Sequence, residues 1–571
     1  MRCKICSLSD TQWEEGDLDE HLLATHRDEQ PAIRAVYADR YERLFEDGEP
    51  VSEPDAAADG ATEPAADSAG TGDPGDAPTA PPAESGPGSA PDATPPTDAD
   101  PPADASPPTD VESDVDFEDS YGKKWFMIGV GGAGNNILDA VLLRRDTLRR
   151  NNENRALIWE GGLAGYGILN TNIAELEQTY YAQEERGYSR QQLMMNAIIG
   201  QGAHGYQGMG RRWDHGKQVM ERDFEDGRNP FRERWDMDPQ TIQDAQAIMF
   251  VHSVTKGTGC GSTPVLARKI REEVLNNDYV ISKALLSSVV IPSEGGNDGM
   301  SGGKARVNGV VGLARMSAAV DAIVPFDNER LEAAGADITP RIDGLQEYNP
   351  PHYADLNRPL VAFLEAFTMS STPQFVKQDA SMSIHGDVFD VADSFRPVED
   401  KYPLDLDADH RPAVILAPVL GRARGETINR SQLETLISNA LYQNRLAKFD
   451  PETAWGGTFL LYGPERKMDE VSRLVSDGVA RDILASEDFL DAANQPGTES
   501  VDIHVEQLVT PDLDDVYLWG TLWNPRMPSL ERMYDHAKNI KEGNSQQAEN
   551  LREIWEYVEP LFSCLGRENM A

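Results

Sequence analysis

Two glycine-rich segments of this chain have the composition and position that bind phosphate groups. Residues 255–263 (Thr-Lys-Gly-Thr-Gly-Cys-Gly-Ser-Thr) follow an apolar run and precede a helical pattern at residues 264–275. Residues 129–136 (Gly-Val-Gly-Gly-Ala-Gly-Asn-Asn) also follow an apolar run and precede a helical pattern at residues 137–149. A glycine-rich turn between a strand and a helix directs backbone N–H groups at one point, where the helix N-terminus adds partial positive charge. Two such turns predict a site for a nucleotide with several phosphates.

The earlier segment also fits the Gly-x-Gly-x-x-Gly pattern of dinucleotide-binding proteins, through Gly129, Gly131 and Gly134. In that alternative the chain is an NAD-linked oxidoreductase, and Glu160 binds a ribose hydroxyl. The alternative gives residues 255–263 no role, so it is the minor one.

A second group of residues, near the N-terminus, has side chains that can bind a metal ion. Cys3, Cys6, His21 and His26 form a Cys-x2-Cys-x14-His-x4-His pattern, whose thiolates and imidazoles suit tetrahedral Zn²⁺. The alternative is a short helix with incidental Cys and His. Three acidic residues between positions 17 and 20 would repel DNA, so the pattern favours a zinc-finger-like module that docks a protein.

The composition is strongly acidic, with 97 Asp or Glu against 52 Lys or Arg. Residues 46–122 contain 21 of these acids, no Lys or Arg, and many Pro, Ala, Gly, Ser and Thr, which predicts a disordered acidic linker. Only 14 of the bases are Lys. This balance favours a halophilic protein adapted to high salt, with an ordinary acidic protein as the alternative, and argues against nucleic acid as a partner.

The compartment follows from what the sequence does not contain. There is no secretory leader pattern and no apolar run near the ~20 residues that a bilayer span needs. The four cysteines do not suggest a disulfide framework. We therefore expect a cytoplasmic protein that is not inserted directly into a membrane.

Short apolar runs alternate with amphipathic helical patterns from residue 123 onward, which predicts an α/β fold with a doubly wound, mainly parallel sheet. The predicted strands of this region are 125–130, 165–170, 247–254, 284–291 and 320–325. The predicted organisation is a zinc-finger-like module at 1–45, the linker at 46–122, a nucleotide-binding domain at 123–352, a long core helix at 353–372, a catalytic loop and second α+β domain at 373–527, and a helical tail at 528–571.

Taken together, the motifs between residues 123 and 530 resemble the tubulin/FtsZ superfamily of GTPases. Residues 129–136 resemble its first phosphate loop, 169–172 (Leu-Asn-Thr-Asn) its second, 200–208 its third, and 255–261 its signature loop. The resemblance implies phosphate contacts from Gly131, Gly132, Gly134, Asn135, Asn170, Thr171, Gly202, Ala203, Gly257, Thr258, Gly259, Cys260 and Gly261. The first two signature glycines are replaced by Thr255 and Lys256, and Lys256 either contacts the phosphates or is a solvated loop lysine.

The same resemblance implies residues for the ribose and the base. Glu294, in Val-Ile-Pro-Ser-Glu, matches the glutamate that contacts the ribose. Asn328, in Asp-Asn-Glu, and Asn357, in Leu-Asn-Arg, match the two asparagines that bind guanine. An amide carries both a donor and an acceptor, which favours GTP over ATP. The alternative for each Asn is a helix cap.

Residues 383–391 (Ser-Ile-His-Gly-Asp-Val-Phe-Asp-Val) resemble the loop that reaches the nucleotide of the neighbouring subunit. Asp387 and Asp390 take its two acidic positions and would polarise the attacking water, while His385 replaces the usual Asn. The alternative is a turn with exposed acids.

We therefore expect an archaeal tubulin-like GTPase, of the haloarchaeal type, that binds GTP or GDP with Mg²⁺ and self-associates head to tail in a cytoskeletal filament. The main alternative is a GTP-binding regulator or scaffold that does not polymerise. The N-terminal module would recruit a protein partner that the sequence does not identify.

Overall fold

The computed structural model describes residues 45–46, 49–50, 125–153, 155–200, 207–228, 241–242, 245–275, 284–291, 303–334, 338–370, 391–395, 398, 411–486, 488–490, 502–510 and 512–565. The chain divides into two units, residues 1–109 and 110–571. In the first unit the described residues form one short antiparallel pair, Phe45–Glu46 with Glu49–Pro50. The predicted zinc ligands and most of the predicted linker lie outside the described residues.

In the described part of the second unit, nine strands form one mixed sheet. They are β1 Trp125–Val130, β2 Leu163–Leu169, β3 Ala247–Ser253, β4 Ala284–Ile291, β5 Ala322–Asp327, β6 Val414–Ala423, β7 Gly456–Gly463, β8 Asp502–Val509 and β9 Val516–Trp523. Their spatial order is β8-β7-β9-β6-β5-β4-β3-β1-β2. Strands β1 to β6 pair in parallel, and β9 is antiparallel to both its neighbours. The predicted α/β fold with a mainly parallel sheet is confirmed.

The helices are α1 Gly131–Arg150, α2 Ala156–Gly162, α3 Ile173–Glu177, α4 Arg190–Asn196, α5 Trp213–Glu225, α6 Gly257–Ile270, α7 Gly303–Ser317, α8 Asn328–Ala333, α9 Leu345–Tyr348, α10 Pro351–Ser370, α11 Arg430–Ser438, α12 Glu465–Ser476, α13 Val479–Leu484, α14 Pro528–Lys541, α15 Gln546–Glu553 and α16 Trp555–Cys564. None of the helices in the described ranges is long and apolar enough to cross a bilayer.

The sheet is buried on both faces, and β1 shows how. All six of its residues are buried; Phe126, Ile128 and Val130 join one hydrophobic cluster, and Trp125 and Met127 join the other. This alternation follows from the two-residue period of a strand. Helices α6, α7 and α14 cover the first face, and α1 and α10 cover the second.

Helix α10 is the predicted core helix, and it bridges the two halves of the sheet. Its Phe367 ring lies 5.3 Å from the Trp125 ring of β1 and 5.1 Å from the Trp519 ring of β9. Strands β5 and β6, which join the halves within the sheet, pair through only two residue pairs. The two parts of the chain on either side of α10 thus share one continuous sheet within a single unit.

Two predicted helix starts were wrong. The sequence predicts helices from Ile137 and Pro264, after the glycine-rich segments, but α1 begins at Gly131 and α6 at Gly257. Glycine disfavours helix interiors because of its conformational entropy. Here close packing around these first turns, described below, outweighs that preference.

Candidate nucleotide-binding site

The first turns of α1 and α6 meet above the carboxyl ends of β1 and β3. Gly131 has φ +73°, and a Cβ there would lie 3.1 Å from the backbone nitrogen of Gly259. A Cβ on Gly259 would lie 3.0 Å from the carbonyl oxygen of Ser253 and 3.1 Å from that of Val130. Only glycine permits this approach, which brings two helix N-termini to one cleft. Such a pair of N-termini attracts anions through free N–H groups and helix dipoles.

The loop after β2 closes the side of this cleft. The hydroxyl of Thr171 lies 2.7 Å from that of Thr258, and both residues are buried. The side chain of Asn170 accepts from the backbone N–H of Thr171 at 2.8 Å and donates to Glu175 at 2.8 Å. These bonds fix the second predicted phosphate loop against the start of α6.

The cleft contains two adjoining cavities. The larger, about 250 Å³, is lined by the starts of α1 and α6 and by the segments at residues 170–175 and 207–211. The smaller, about 110 Å³, is lined by residues of α1, α8 and α10, including Asn328 and Asn357. Both are lined by Ala133, Arg211, Ser253 and Lys256, so they are parts of one cleft. We call the larger cavity the phosphate end, because two helix N-termini line it. It is therefore continuous with a smaller pocket that is lined by the side-chain amides of Asn328 and Asn357.

The smaller cavity has an aromatic wall. Tyr353 lies one helical turn before Asn357 on α10, and the Lys256 ammonium lies 5.6 Å from its ring centre. Asn357 is buried and donates through Nδ2 to Oδ1 of Asn349 at 3.2 Å. Asn328 begins α8, directly after Asp327, which caps the helix by accepting from the N–H of Glu329 at 2.9 Å. Burial raises the pKa of Asp327 to about 6.

Other predicted residues lie behind the cleft. A Cβ on Gly134 would lie 2.0 Å from the carbonyl oxygen of Val251, and a Cβ on Gly261 would lie 2.1 Å from that of Trp213. Asn135 is buried, and its side-chain amide packs against the carbonyl oxygens of Gly129 and Gly131. The Cys260 thiol donates to the carbonyl of Asn308 at 3.2 Å, and burial raises its pKa to about 12.

The placement of the predicted site residues thus falls into three groups. Those that line the cleft are Gly131, Gly132, Asn170, Gly257, Thr258, Gly259, Asn328 and Asn357. Thr171 contacts it through Thr258, while Gly134, Asn135, Cys260 and Gly261 support it from behind. Gly202, Ala203, Glu294, Asp387, Asp390, Cys3, Cys6, His21 and His26 lie outside the described residues. Within the described ranges, no cluster of three His, Cys, Asp or Glu side chains could hold a metal ion.

Among the residues that the sequence did not single out, Tyr353 and Arg211 line the cleft and Asn308 holds two of its segments together. Tyr353 had a signal, since it stands four positions before Asn357 in the same helical pattern. Arg211 lines both cavities in a left-handed conformation, with φ +61°. The buried amide of Asn308 donates to the carbonyls of Arg211 at 3.0 Å and Thr255 at 3.1 Å, and so ties two cleft segments together. Neither Arg211 nor Asn308 belongs to a phosphate-binding sequence pattern.

Glu160 does not have the position that a dinucleotide site requires. It lies in α2, before β2, and accepts from Nε of Arg149 at 2.7 Å, near the C-terminal end of α1. Helix α1 has 20 residues, so its two ends are about 30 Å apart. The cleft is at the other end, and Glu160 therefore cannot bind a ribose there.

Parts of the chain are similar to known proteins. Residues 124–335 match the family model described as "Tubulin/FtsZ family, GTPase domain". The chain is 25% identical over 214 residues to a tubulin-like protein CetZ of Thermococcus kodakarensis, a match that covers 37% of this chain and 45% of that protein. Among solved structures, it is similar to GDP-bound monomeric CetZ1 from Haloferax volcanii (15% identity, TM-score 0.49, 73% of this chain and 100% of the other). It is also similar to an empty FtsZ dimer from M. jannaschii (18% identity, TM-score 0.42, 70% of this chain and 88% of the other).

Proposed function

We propose, from the Tubulin/FtsZ-family GTPase domain at residues 124–335, that this protein is a tubulin-like cytoskeletal protein that binds and hydrolyses GTP. The observation that carries the proposal is the continuous cleft. Its wide end is lined by the N-termini of α1 and α6, and its narrow end by Asn328, Asn357 and Tyr353. This arrangement suits a phosphate chain at one end and a base at the other.

In this proposal the backbone N–H groups at Gly131, Gly132 and Gly257–Gly259 bind the phosphates. Asn328 and Asn357 pair with the base edge, because an amide offers both a donor and an acceptor, and the Tyr353 ring packs against the base. Mg²⁺ accompanies the nucleotide and neutralises part of its phosphate charge when bound.

We further propose that hydrolysis requires a second copy of the chain. Asp387 and Asp390 would enter the neighbouring subunit's site and orient the attacking water, as the resemblance of residues 383–391 implies. Phosphoryl transfer depends mainly on positioning and charge stabilisation, so a carboxylate supplied in trans is enough to switch the reaction on. A head-to-tail contact of this kind is heterologous and extends into a filament.

The remaining parts fit an accessory role. We propose that Cys3, Cys6, His21 and His26 bind Zn²⁺ and that the acidic segment tethers this module to the GTPase domain at high local concentration. The acidic, Lys-poor composition supports a cytoplasmic protein of a halophilic, haloarchaeal type.

The test uses full-length protein in molar KCl. Calorimetry with GTP, ATP and NAD should show binding of GTP in clear preference to the others. The GTPase rate per molecule should then rise with protein concentration and fall at least tenfold in Asp387→Asn, with nucleotide binding unchanged. A low rate that is independent of concentration and unchanged in Asp387→Asn would instead identify a regulator that does not polymerise. Preference for ATP or NAD would refute the proposal altogether.

A further inference from the structure

We propose that Lys256 is a phosphate-binding residue, whose ammonium neutralises the terminal phosphates of the bound nucleotide. This inference rests on the proposed function and assigns a specific determinant of affinity to the same site. Lys256 stands at a position where the signature loop of the tubulin/FtsZ superfamily, which this segment resembles, has glycine.

The backbone places Lys256 at the entrance of the phosphate end. It is the N-cap residue of α6, in an extended conformation with φ −106° and ψ 177°, and it makes no side-chain cap hydrogen bond. The first turn of α6 carries no acidic residue. The residue is exposed and lines both cavities, and its ammonium lies 5.6 Å from the centre of the Tyr353 ring of the smaller one.

A carboxylate lines the phosphate end of the cleft, so a triphosphate bound there requires a nearby cation. The carboxylate of Glu175 lines the phosphate end, and its Oε2 lies 2.7 Å from the position of a Cβ on Gly132. Among the described residues that line this cavity, the charged ones are Glu175, Arg211 and Lys256. A triphosphate placed beside a carboxylate is repelled unless cations offset that charge. Lys256 and Arg211 are the side chains that can do so from the lining.

Lys256 is not committed to a structural ion pair in the described part of the chain. No carboxylate there lies within salt-bridge distance of its ammonium, which is held instead 5.6 Å from the centre of the Tyr353 ring. A cation–π contact at an exposed site is weak, about 0.5–1 kcal/mol. A phosphate oxygen, which forms a charge-assisted hydrogen bond, would therefore compete successfully for the ammonium.

The contact with Tyr353 also defines the competing account, in which Lys256 acts on the base by holding the ring. The two accounts differ in how the effect depends on phosphate number. A phosphate contact matters most for GTP and not at all for guanosine, whereas an effect through Tyr353 is the same for every guanine ligand.

The experiment measures the affinity of full-length protein for guanosine, GMP, GDP and GTP at one ionic strength, by calorimetry. The variants are Lys256→Met, which keeps the stem length without the charge, and Lys256→Arg, which keeps the charge. Lys269→Met is the matched control, because Lys269 is a partly exposed lysine near the other end of the same helix, where it pairs with Glu272 at 2.9 Å. Thermal unfolding of each variant verifies the fold.

We expect Lys256→Met to weaken GTP binding by about ten- to a hundredfold, the range of a charge-assisted hydrogen bond. The loss should shrink from GTP to GMP and vanish for guanosine, Lys256→Arg should stay within about threefold of the wild type, and Lys269→Met should have no effect. An equal loss for all four ligands, or no loss for GTP, overturns the inference while leaving GTP binding itself intact. If the wild type binds none of these ligands, the proposed function fails first.

Discussion

The hydroxyl of Thr171 lies 2.7 Å from the hydroxyl of Thr258, across 87 residues of sequence. Thr171 follows β2 and Thr258 lies in the first turn of α6, which follows β3; both strands pair with β1, on opposite sides of it. The hydrogen bond therefore crosses the carboxyl end of β1 and joins the two flanks of the phosphate end. It gives the cleft a fixed width before any ligand binds.

Thr171→Val removes this bond and leaves the side chain nearly isosteric. We expect nucleotide affinity to fall about threefold to tenfold, because the loop after β2 loses its attachment to α6, and the free energy of unfolding to fall by about 1 kcal/mol. Thr179→Val is the matched control, since Thr179 is equally buried and donates to the carbonyl of Leu176 at 2.7 Å. Thr179→Val should lower the free energy of unfolding by a similar amount and leave the nucleotide affinity unchanged. Equal affinities in the two variants would contradict the role of the Thr171–Thr258 bond.

Gly261→Ala tests the packing behind the cleft. A Cβ at Gly261 would lie 2.1 Å from the carbonyl oxygen of Trp213 and 2.6 Å from the nitrogen of Lys217, so α5 and α6 must separate. Because the clash is with backbone, we expect a loss of about 2–4 kcal/mol in the free energy of unfolding, measured in urea, and weaker nucleotide binding. Gly478→Asn is the control: Gly478 has φ +76° with open space around it, and Asn tolerates that conformation. A stable Gly261→Ala protein would show that these helices are not constrained.

The same packing explains how far the sequence could predict the structure. Strands β1 and β4 have the predicted bounds, because short runs of mostly apolar residues are a local signal, even though Ser287 and Ser288 interrupt the run in β4. The starts of α1 and α6 could not be predicted, since helix propensity opposes Gly131 and Gly257 and only contacts with distant backbone favour them. Asn308 was missed for the same reason: its partners, Arg211 and Thr255, are brought to it by the fold alone.

Resemblance to known motifs supplied what local patterns did not. Asn328 and Asn357 come from separate helices, and no periodicity relates them, yet both line the smaller cavity. The resemblance also included Cys260, whose thiol faces α7 through the carbonyl of Asn308, so only its backbone is available to a ligand. A motif therefore locates a segment of chain at the cleft but does not tell which of its side chains face inward.

Glu365 of α10 is the centre of a buried ionic cluster that joins three parts of the fold. It accepts from Arg144 of α1 at 2.7 Å, from Arg155 at 3.3 Å and from Nε1 of Trp159 at 3.3 Å. The two guanidinium groups lower the pKa of its carboxyl despite the opposing effect of burial. The backbone N–H of Arg155 in turn donates to Asp512, between β8 and β9, at 3.1 Å.

Glu365→Ala should therefore lower the free energy of unfolding by about 3–5 kcal/mol, because it leaves the Arg144 charge buried without compensation. The double variant Glu365→Leu with Arg144→Met should recover much of this loss, since both charges are gone and apolar volume is kept. Urea unfolding of both proteins measures the difference. A double variant less stable than the single one would show that the unpaired charge of Arg144 is not the cause of the loss in Glu365→Ala.

His252 of β3 gives the structure a defined response to acid. It is fully buried, its Nε2 lies 2.8 Å from the hydroxyl of Ser287, and burial lowers its pKa from 6.5 to about 3. The folded protein therefore resists protonation that the unfolded chain accepts below pH 6.5. The stability that the neutral His252 contributes is fully present above pH 6.5. It decreases as the pH falls toward the pKa of His252 in the folded state.

The expected loss between pH 7.5 and pH 5 is about 2 kcal/mol for one such histidine. Burial raises the pKa of Asp139 to about 7 and that of Asp327 to about 6, so these acids act in the opposite direction over the same interval. The measurement is therefore the difference between wild type and His252→Gln, whose side chain stays neutral and leaves both acids in place. The stability advantage of the wild type over this variant should shrink by about 2 kcal/mol from pH 7.5 to pH 5 in urea unfolding. A difference independent of pH would mean that the imidazole is protonated within the fold, with Ser287 accepting from it.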